Sequence, residues 1–388
     1  MTLQNIAEKY RSYQITMRRY FHANPELSER GFQTNAVIKL ELDRMHIPWR
    51  PCGMKTGILA TITGAKPGKT ILLRCDMDAL EIQEETDLPY SSKKAGIMHA
   101  CGHDCHIAML LTAAHILNDL KDELCGTVKL AFQPAEEITT GALSMINDGA
   151  LEGVDACFAI HVWSDIDSGK VVCHAGPCMA AVGKFTACIN GKSGHGGAPQ
   201  LCVDPVVAAS AAIMNLQAIV SRELSPQDSA CLTIGAIHGG TCYNTIADSV
   251  TFEGTTRTFS EDISNSFADR IERIVCNAAQ FFRAEACVTY EKLTSPVVNN
   301  ATVTEVVQKA AEKVMGADAI DSISPLSAGE DFCHFMKEVP GALALLGVRN
   351  DTCGAVWPQH SNKYCVDEDA LLYGAMLYAQ VALDFNSR

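Results

Sequence analysis

Ile71-Leu72-Leu73-Arg74 runs directly into Cys75-Asp76-Met77-Asp78. A short apolar run that ends in carboxylates reads as a buried strand delivering polar groups to its carboxyl end. The same arrangement recurs three times. Thr127–Phe132 leads into Gln133-Pro134-Ala135-Glu136-Glu137, Ala156–Ile160 into His161, and Ala342–Val348 through a loop to His360. Ile107–Leu120, Gly141–Asp148 and Thr302–Met315 lie between these runs and carry helical character. Strand–helix alternation predicts an α/β fold with a mainly parallel sheet covered on both faces. In such sheets ligands bind beyond the carboxyl ends of the strands. Four strands ending in carboxylate or imidazole therefore predict a metal or acid–base site there.

Outward from this pattern, residues 2–22 read as one helix and Thr34–Met45 as another. Thr56–Thr63 alternates as a strand, followed by a turn over Gly64–Gly68. The middle of the chain has a different order. Gly183–Asn190, Cys231–Ile237, Ser249–Arg257 and Ala286–Lys292 read as strands, with Asp204–Arg222 and Ser264–Arg283 as helices. That β-α-β-β-α-β order describes a small self-contained α+β unit. The expected division is a catalytic metal-binding domain over 1–182 and 296–388, with an inserted domain over 183–295.

The 388 residues carry 31 Lys+Arg against 45 Asp+Glu, a net charge of −14 with no basic block. This argues against nucleic acid and anionic membrane as partners. Apolar residues make up 47%, enough for sizeable cores. Seventeen cysteines are scattered without a CxxC pair, which predicts reduced thiols in the cytoplasm. The polar start and the lack of an apolar run near 18 residues give no signal peptide or membrane span.

The densest donor cluster is Met98-His99-Ala100-Cys101-Gly102-His103-Asp104-Cys105-His106. Thiolate and neutral imidazole suit Zn²⁺, and added carboxylates also suit Mn²⁺ or Co²⁺. The bland alternative is a helix start capped by Asp104 with buried histidines. His99, Cys105, His106 and His115 taken singly read as core or supporting residues. In the pair Glu136–Glu137, one carboxylate can bind metal while its neighbour faces an activated water. Alone, that pair could equally be a solvated helix start. Gly64–Thr70 is not a phosphate loop: it lacks one spacer residue and precedes a strand. No GxSxG elbow is present. Gly191–Pro199 is a glycine-rich turn holding His195, and Arg257 ends a strand, where a surface ion pair is the ordinary expectation.

MHACGHDCHIAMLL, FQPAEE, IHVW, GKSGHGGAP, YNTIAD, GTTRTF and AGEDFCHF together resemble the M20 metallopeptidases, in particular the aminoacylase, hippurate hydrolase and auxin-conjugate hydrolase branch. The resemblance runs from about His22 to the C-terminus. It implies a zinc-peptidase-like catalytic domain with two divalent ions, Zn²⁺ or Mn²⁺ first and Co²⁺ or Ni²⁺ as alternatives. It also implies an inserted lid that forms a homodimer or homotetramer. By motif, Cys101, His103, Glu137, His161 and His360 correspond to metal ligands and Glu136 to the general base. Asp78 corresponds to the carboxylate that orients a ligand histidine. His195 resembles the lid histidine that stabilises the oxyanion, commonly across a dimer interface. Asn244 and Arg257 resemble lid residues that hold the substrate.

The implied reaction is hydrolysis of an N-acyl amino acid to a carboxylic acid and a free amino acid. A dipeptidase or an N-acetyl-diaminopimelate-type deacetylase of the same family are the nearest alternatives. A non-catalytic metal-binding protein on this scaffold would be expected to lack Glu136 or several ligands, and neither loss is seen. Where the family has proline after DMDAL and HVW, this sequence has Glu81 and Ser164, which bears on substrate preference.

Overall fold

The computed structural model describes residues 2–387. The chain forms two compact units. One comprises residues up to Gly176 with Val298–Ser324 and the stretch from Asp331 onward; the other comprises Pro177–Val297 and Pro325–Glu330.

The first unit is built on an eight-stranded sheet. Its strands are β1 (Trp49–Pro51), β2 (Ile58–Thr63), β3 (Lys66–Asp76), β4 (Cys125–Gln133), β5 (Ala156–Asp167), β6 (Val171–Val172), β7 (Ile320–Asp321) and β8 (Gly341–Arg349). Their order is β1-β2-β4-β3-β5-β8-β6-β7. The centre, β4-β3-β5-β8, is parallel throughout; the pairs β1–β2, β2–β4 and β8–β6 are antiparallel, and β6–β7 at the far edge is parallel again. Ile71, Leu72 and Leu73 in β3, and Leu343 and Leu346 in β8, are fully buried. Both faces of these strands are covered, so they read as continuous apolar runs rather than alternating ones. The helices His103–Asp119 and Leu371–Asn386 pack on each other and against β3, and Arg11–Ala23 packs on the first of them.

Three details differ from the sequence reading. Residues 2–22 form two helices, Leu3–Glu8 and Arg11–Ala23, because Tyr10 leaves helical geometry. Its ring stacks on His115 and its hydroxyl donates to Asp119, so tertiary packing overrides local propensity. β3 starts at Lys66, within the expected turn, and a register shift between Lys66 and Thr70 absorbs the tight connection. β5 continues for twelve residues, so His161 lies inside the strand rather than after it.

In the second unit, strands Ala230–Gly239, Ser249–Thr258, Ala181–Asn190 and Glu285–Thr294 form a four-stranded antiparallel sheet in that order. Helices Pro205–Ala218, capped by Asp204, and Glu261–Phe281, capped by Ser260, pack on each other. Their apolar faces share one core with Phe185, Phe252 and Phe267. The first helix and its continuation to Glu223 are long and apolar enough by composition to cross a membrane. Ser210, Asn215 and Gln217 interrupt the apolar run, and Ala208, Ala212 and Leu216 are buried in that core.

Candidate metal centre

Gly102 sets the geometry of the donor cluster. Its φ of +89° is a left-handed conformation that a side chain rarely adopts. A Cβ there would stand 2.5 Å from Val162 Cγ2 and 2.8 Å from the Tyr364 hydroxyl. Glycine lets the chain reverse direction between Cys101 and His103, the first residue of the long buried helix. Both donors are thereby directed into one space.

Around that space the donors converge. Cys101 Sγ lies 3.6 Å from His161 Nε2. His103 Nε2 lies 3.8 Å from Glu137 Oε1, and His360 Nε2 lies 3.5 Å from the same oxygen. Ligand atoms of Cys101, His103 and Glu137 are mutually within 4.8 Å. Donors about 2.0–2.3 Å from a shared tetrahedral ion stand about 3.4–3.8 Å apart. The nearest-neighbour spacings match that range. Both nitrogens of His103 and Oε1 of Glu137 are buried without a hydrogen-bond partner among the described residues, which is costly unless another group satisfies them. The residues therefore fit one or more divalent ions, and the cluster can bind metal.

The electrostatics point the same way. Burial disfavours a charge on His103, but Asp76, Asp78 and Glu137 outweigh it and push its pKa up to about 10. The carboxylates thus create a demand for positive charge that a proton meets when no metal is bound. Burial, reinforced by Glu137 and Glu136, drives the Cys101 thiol well above its usual range. Burial keeps His161 neutral, and its Nδ1–H donates to the Val162 carbonyl at 2.7 Å, which leaves Nε2 free toward Cys101.

Asp78 ties the elements together. Its Oδ1 accepts the Glu136 N–H and its Oδ2 the Glu137 N–H, each at 3.1 Å. Oδ2 also accepts from Ser28 Oγ at 2.7 Å, and Oδ1 lies 3.5 Å from His103 Nδ1. Ala135, just before the glutamate pair, has φ +58°, and His360 has φ +64°. Left-handed conformations at non-glycine residues concentrate where a site is held in place by its surroundings. The His360 loop is fixed by its N–H to the Ala100 carbonyl at 2.8 Å and by Gln359 donating to the Val162 carbonyl at 2.9 Å.

His106 sits beside these donors but has no lone pair to offer. Its Nε2 accepts the Val162 N–H at 2.9 Å, so its Nδ1–H faces Asp76 at 2.5 Å. It supports the cluster, as the sequence suggested.

A buried network that the sequence reading did not identify lies behind Asp76. Arg74 donates to Asp76 at 2.7 Å, to Asp331 at 2.9 Å and to Gln133 at 2.9 Å. Gln133 and the Ala142 N–H also donate to Asp331. The available signal was AGEDFCHF, where the adjacent acids Glu330 and Asp331 stand directly before the apolar pair Phe332-Cys333.

In the second unit, His195 and Asn244 are brought together. His195 pairs across a short ladder with Thr245, and the Gly196 N–H donates to the Asn244 carbonyl at 2.8 Å. A Cβ on Gly196 would stand 2.9 Å from that carbonyl, which accounts for this glycine of the motif. The His195 ring is exposed, with Nδ1 taken by the Gly197 N–H. Arg257 sits apart, at the end of its strand, and donates to the carbonyls of Ser327 and Thr256. It makes no ion pair among the described residues, so the ordinary expectation for a surface arginine does not hold. Desolvation lowers its pKa.

Residues 72–384 match the model of the Peptidase family M20/M25/M40. The N-acetyl-L-cysteine deacetylase of Bacillus subtilis (strain 168) is 42% identical over 358 residues, covering 92% of this chain and 84% of the relative. The IAA-amino acid hydrolase ILR1-like 2 of Arabidopsis thaliana is 39% identical, covering 96% and 85%. Among solved structures, the Bacillus subtilis YXEP protein is described as a dinuclear metal-binding peptidase of the M20 family. It superposes with a TM-score of 0.85 at 32% identity, covering 97% and 98%. The chain belongs to the peptidase family M20/M25/M40 and is a metal-dependent amidohydrolase.

Proposed function

We propose that the protein hydrolyses the amide bond of N-acyl amino acids, releasing a carboxylic acid and a free amino acid. The observation that carries this reading is the placement of Glu136 and Glu137. Glu137 belongs to the donor cluster, Glu136 is buried beside it, and Asp78 holds both backbone N–H groups. Cys101, His103, Glu137, His161 and His360 would hold two divalent ions, with Glu137 facing both sides of the cluster. When bound, such ions polarise an amide carbonyl and acidify a water. Glu136 takes the proton from the attacking water and passes it to the departing amine. His195 stabilises the oxyanion, and Asn244 orients the carbonyl.

Arg257 pairs with the substrate's free α-carboxylate, in keeping with its lack of an acidic partner. The deacetylase and the auxin-conjugate hydrolase among the relatives act, by name, on N-acylated amino acids, which supports this substrate class. We further assign residues 183–295 as a lid through which two or four copies associate. The seventeen cysteines, none of them joined in a disulfide, accord with a reducing, cytoplasmic setting. The test is a panel of N-acetyl, N-benzoyl and indole-acetyl amino acids, assayed after loading with Zn²⁺, Mn²⁺, Co²⁺ or Ni²⁺. Turnover of at least one member is expected. Absence of turnover across the panel with every metal would contradict the reading.

A further inference from the structure

His360 is the most exposed of the proposed ligands. Its side chain is 54% exposed, its φ is +64°, and Val356, Trp357 and Pro358 before it are exposed as well. A surface loop holds a donor in one place only where other groups tie it down. The His360 N–H, bonded to the Ala100 carbonyl at 2.8 Å, is one tie. The side chain of Gln359 is the other. Its Nε2 donates to the Val162 carbonyl at 2.9 Å, and its Oε1 accepts from the Ser164 hydroxyl at 2.6 Å. Both ends of the amide are thus held by β5, at positions two residues apart.

The Val162 carbonyl also accepts the Nδ1–H of His161 at 2.7 Å. One carbonyl oxygen, with its two lone pairs, therefore serves a proposed ligand on β5 and the neighbour of a proposed ligand on the loop. The two bonds of Gln359 support each other, because a flipped amide would set its oxygen against that carbonyl. Ser164 stands where the β5–β8 ladder breaks: Trp163 pairs with Gly347, and the next registered pair is Asp167 with Arg349. Bulges of this kind re-aim side chains beside functional sites. Ser164 is buried, so its hydroxyl needs a partner, and Gln359 is that partner. The resembling family has proline at this position, which could make no such bond. From this we infer that Ser164 is a positioning residue: through Gln359 it holds His360 beside Glu137, and so raises the affinity for the ion to which His360 contributes. The inference rests on the proposed ligand set and deepens it.

The test titrates metal-free protein with Co²⁺ against a competing chelator and follows the visible absorption of the bound ion, which reports its donor geometry. His360→Ala identifies the binding step that depends on His360. Ser164→Ala is expected to weaken that same step about tenfold, the lower end of what supporting partners of ligands contribute, and to leave any other step within about twofold of the parent. The absorption bands belonging to that step should shift. Gln359→Met keeps the side-chain length and removes both hydrogen bonds. It should weaken the step to a similar extent, and the double variant should lose no more than the weaker single one, because both residues act through one link. A merely structural role for Ser164 predicts instead a lower urea midpoint of the metal-free protein with Co²⁺ affinity and bands unchanged. That result, parental affinity in both single variants, or losses that add in the double variant would each overturn the inference while leaving the ligand set intact. If His360→Ala alters no binding step, the assignment of His360 as a ligand fails and the inference falls with it.

Discussion

The Asp78 carboxylate accepts the backbone N–H of Glu136 at 3.1 Å. Its other oxygen does the same for Glu137, so one buried side chain at the end of β3 fixes the two glutamates at the end of β4. Replacing Asp78 with Asn substitutes a donor NH₂ for one acceptor oxygen and leaves one of the two N–H groups unsatisfied. Supporting partners of metal ligands typically account for 10- to 100-fold in affinity. Asp78→Asn is expected to weaken Zn²⁺ binding by about that factor in a competitive chelator titration. Affinity equal to the parent would remove Asp78 from this role.

Metal loading should release protons. Without metal, His103 has a pKa of about 10 and is protonated at pH 7, while Cys101 is held as the neutral thiol. A bound ion requires neutral imidazole and thiolate. Titrating metal-free protein at pH 7 should therefore release about two protons per chain in total, read from calorimetry in buffers of different ionisation enthalpy. Cys101→Ser should reduce the count to about one.

Arg18 and Asp104 form a fully buried ion pair at 3.0 Å, and His22 Nδ1 lies 2.8 Å from the same carboxylate. Burial opposes ionisation of Asp104, but Arg18 and His22 prevail and hold its pKa far below the usual carboxylate range. A depressed carboxylate pKa stabilises the fold above about pH 4 and loses that contribution as pH falls through the folded-state value. Urea midpoints should decline as pH is lowered below about 4. Arg18→Met should cost about 3–5 kcal/mol at pH 7, since it strands a buried charge. The loss should be smaller in acid, where Asp104 can be protonated.

Gly102→Ala places a Cβ into Val162 and Tyr364 at a left-handed φ. About 1–3 kcal/mol of stability is expected to be lost from the backbone conformation alone. Metal affinity should fall further, because Cys101 and His103 can no longer share one space. A variant that keeps both stability and metal content would refute the geometric role of this glycine.

Much of the site was legible because its donors are concentrated in short stretches. Residues 98–106 and 136–137 contribute Cys101, His103, Glu136 and Glu137, and strand alternation places both stretches at the same end of the sheet. The partners of Asp331 were not legible. Arg74 lies 257 positions away, and no local pattern encodes a contact of that range. The break at Tyr10 was hidden for the same reason, since it depends on His115 in another helix. His161 was read as following its strand but lies inside it, because Val162 and Trp163 continue the β pattern past it.

In the proposed reaction Glu136 moves the proton while its neighbour Glu137 holds metal. Glu136→Gln keeps the side-chain shape and removes the base. With metal content measured on the same preparation, kcat for an N-acyl amino acid should drop by about 10²- to 10⁴-fold while bound metal per chain stays at the parental level. Turnover close to the parent, at equal metal content, would contradict the assignment.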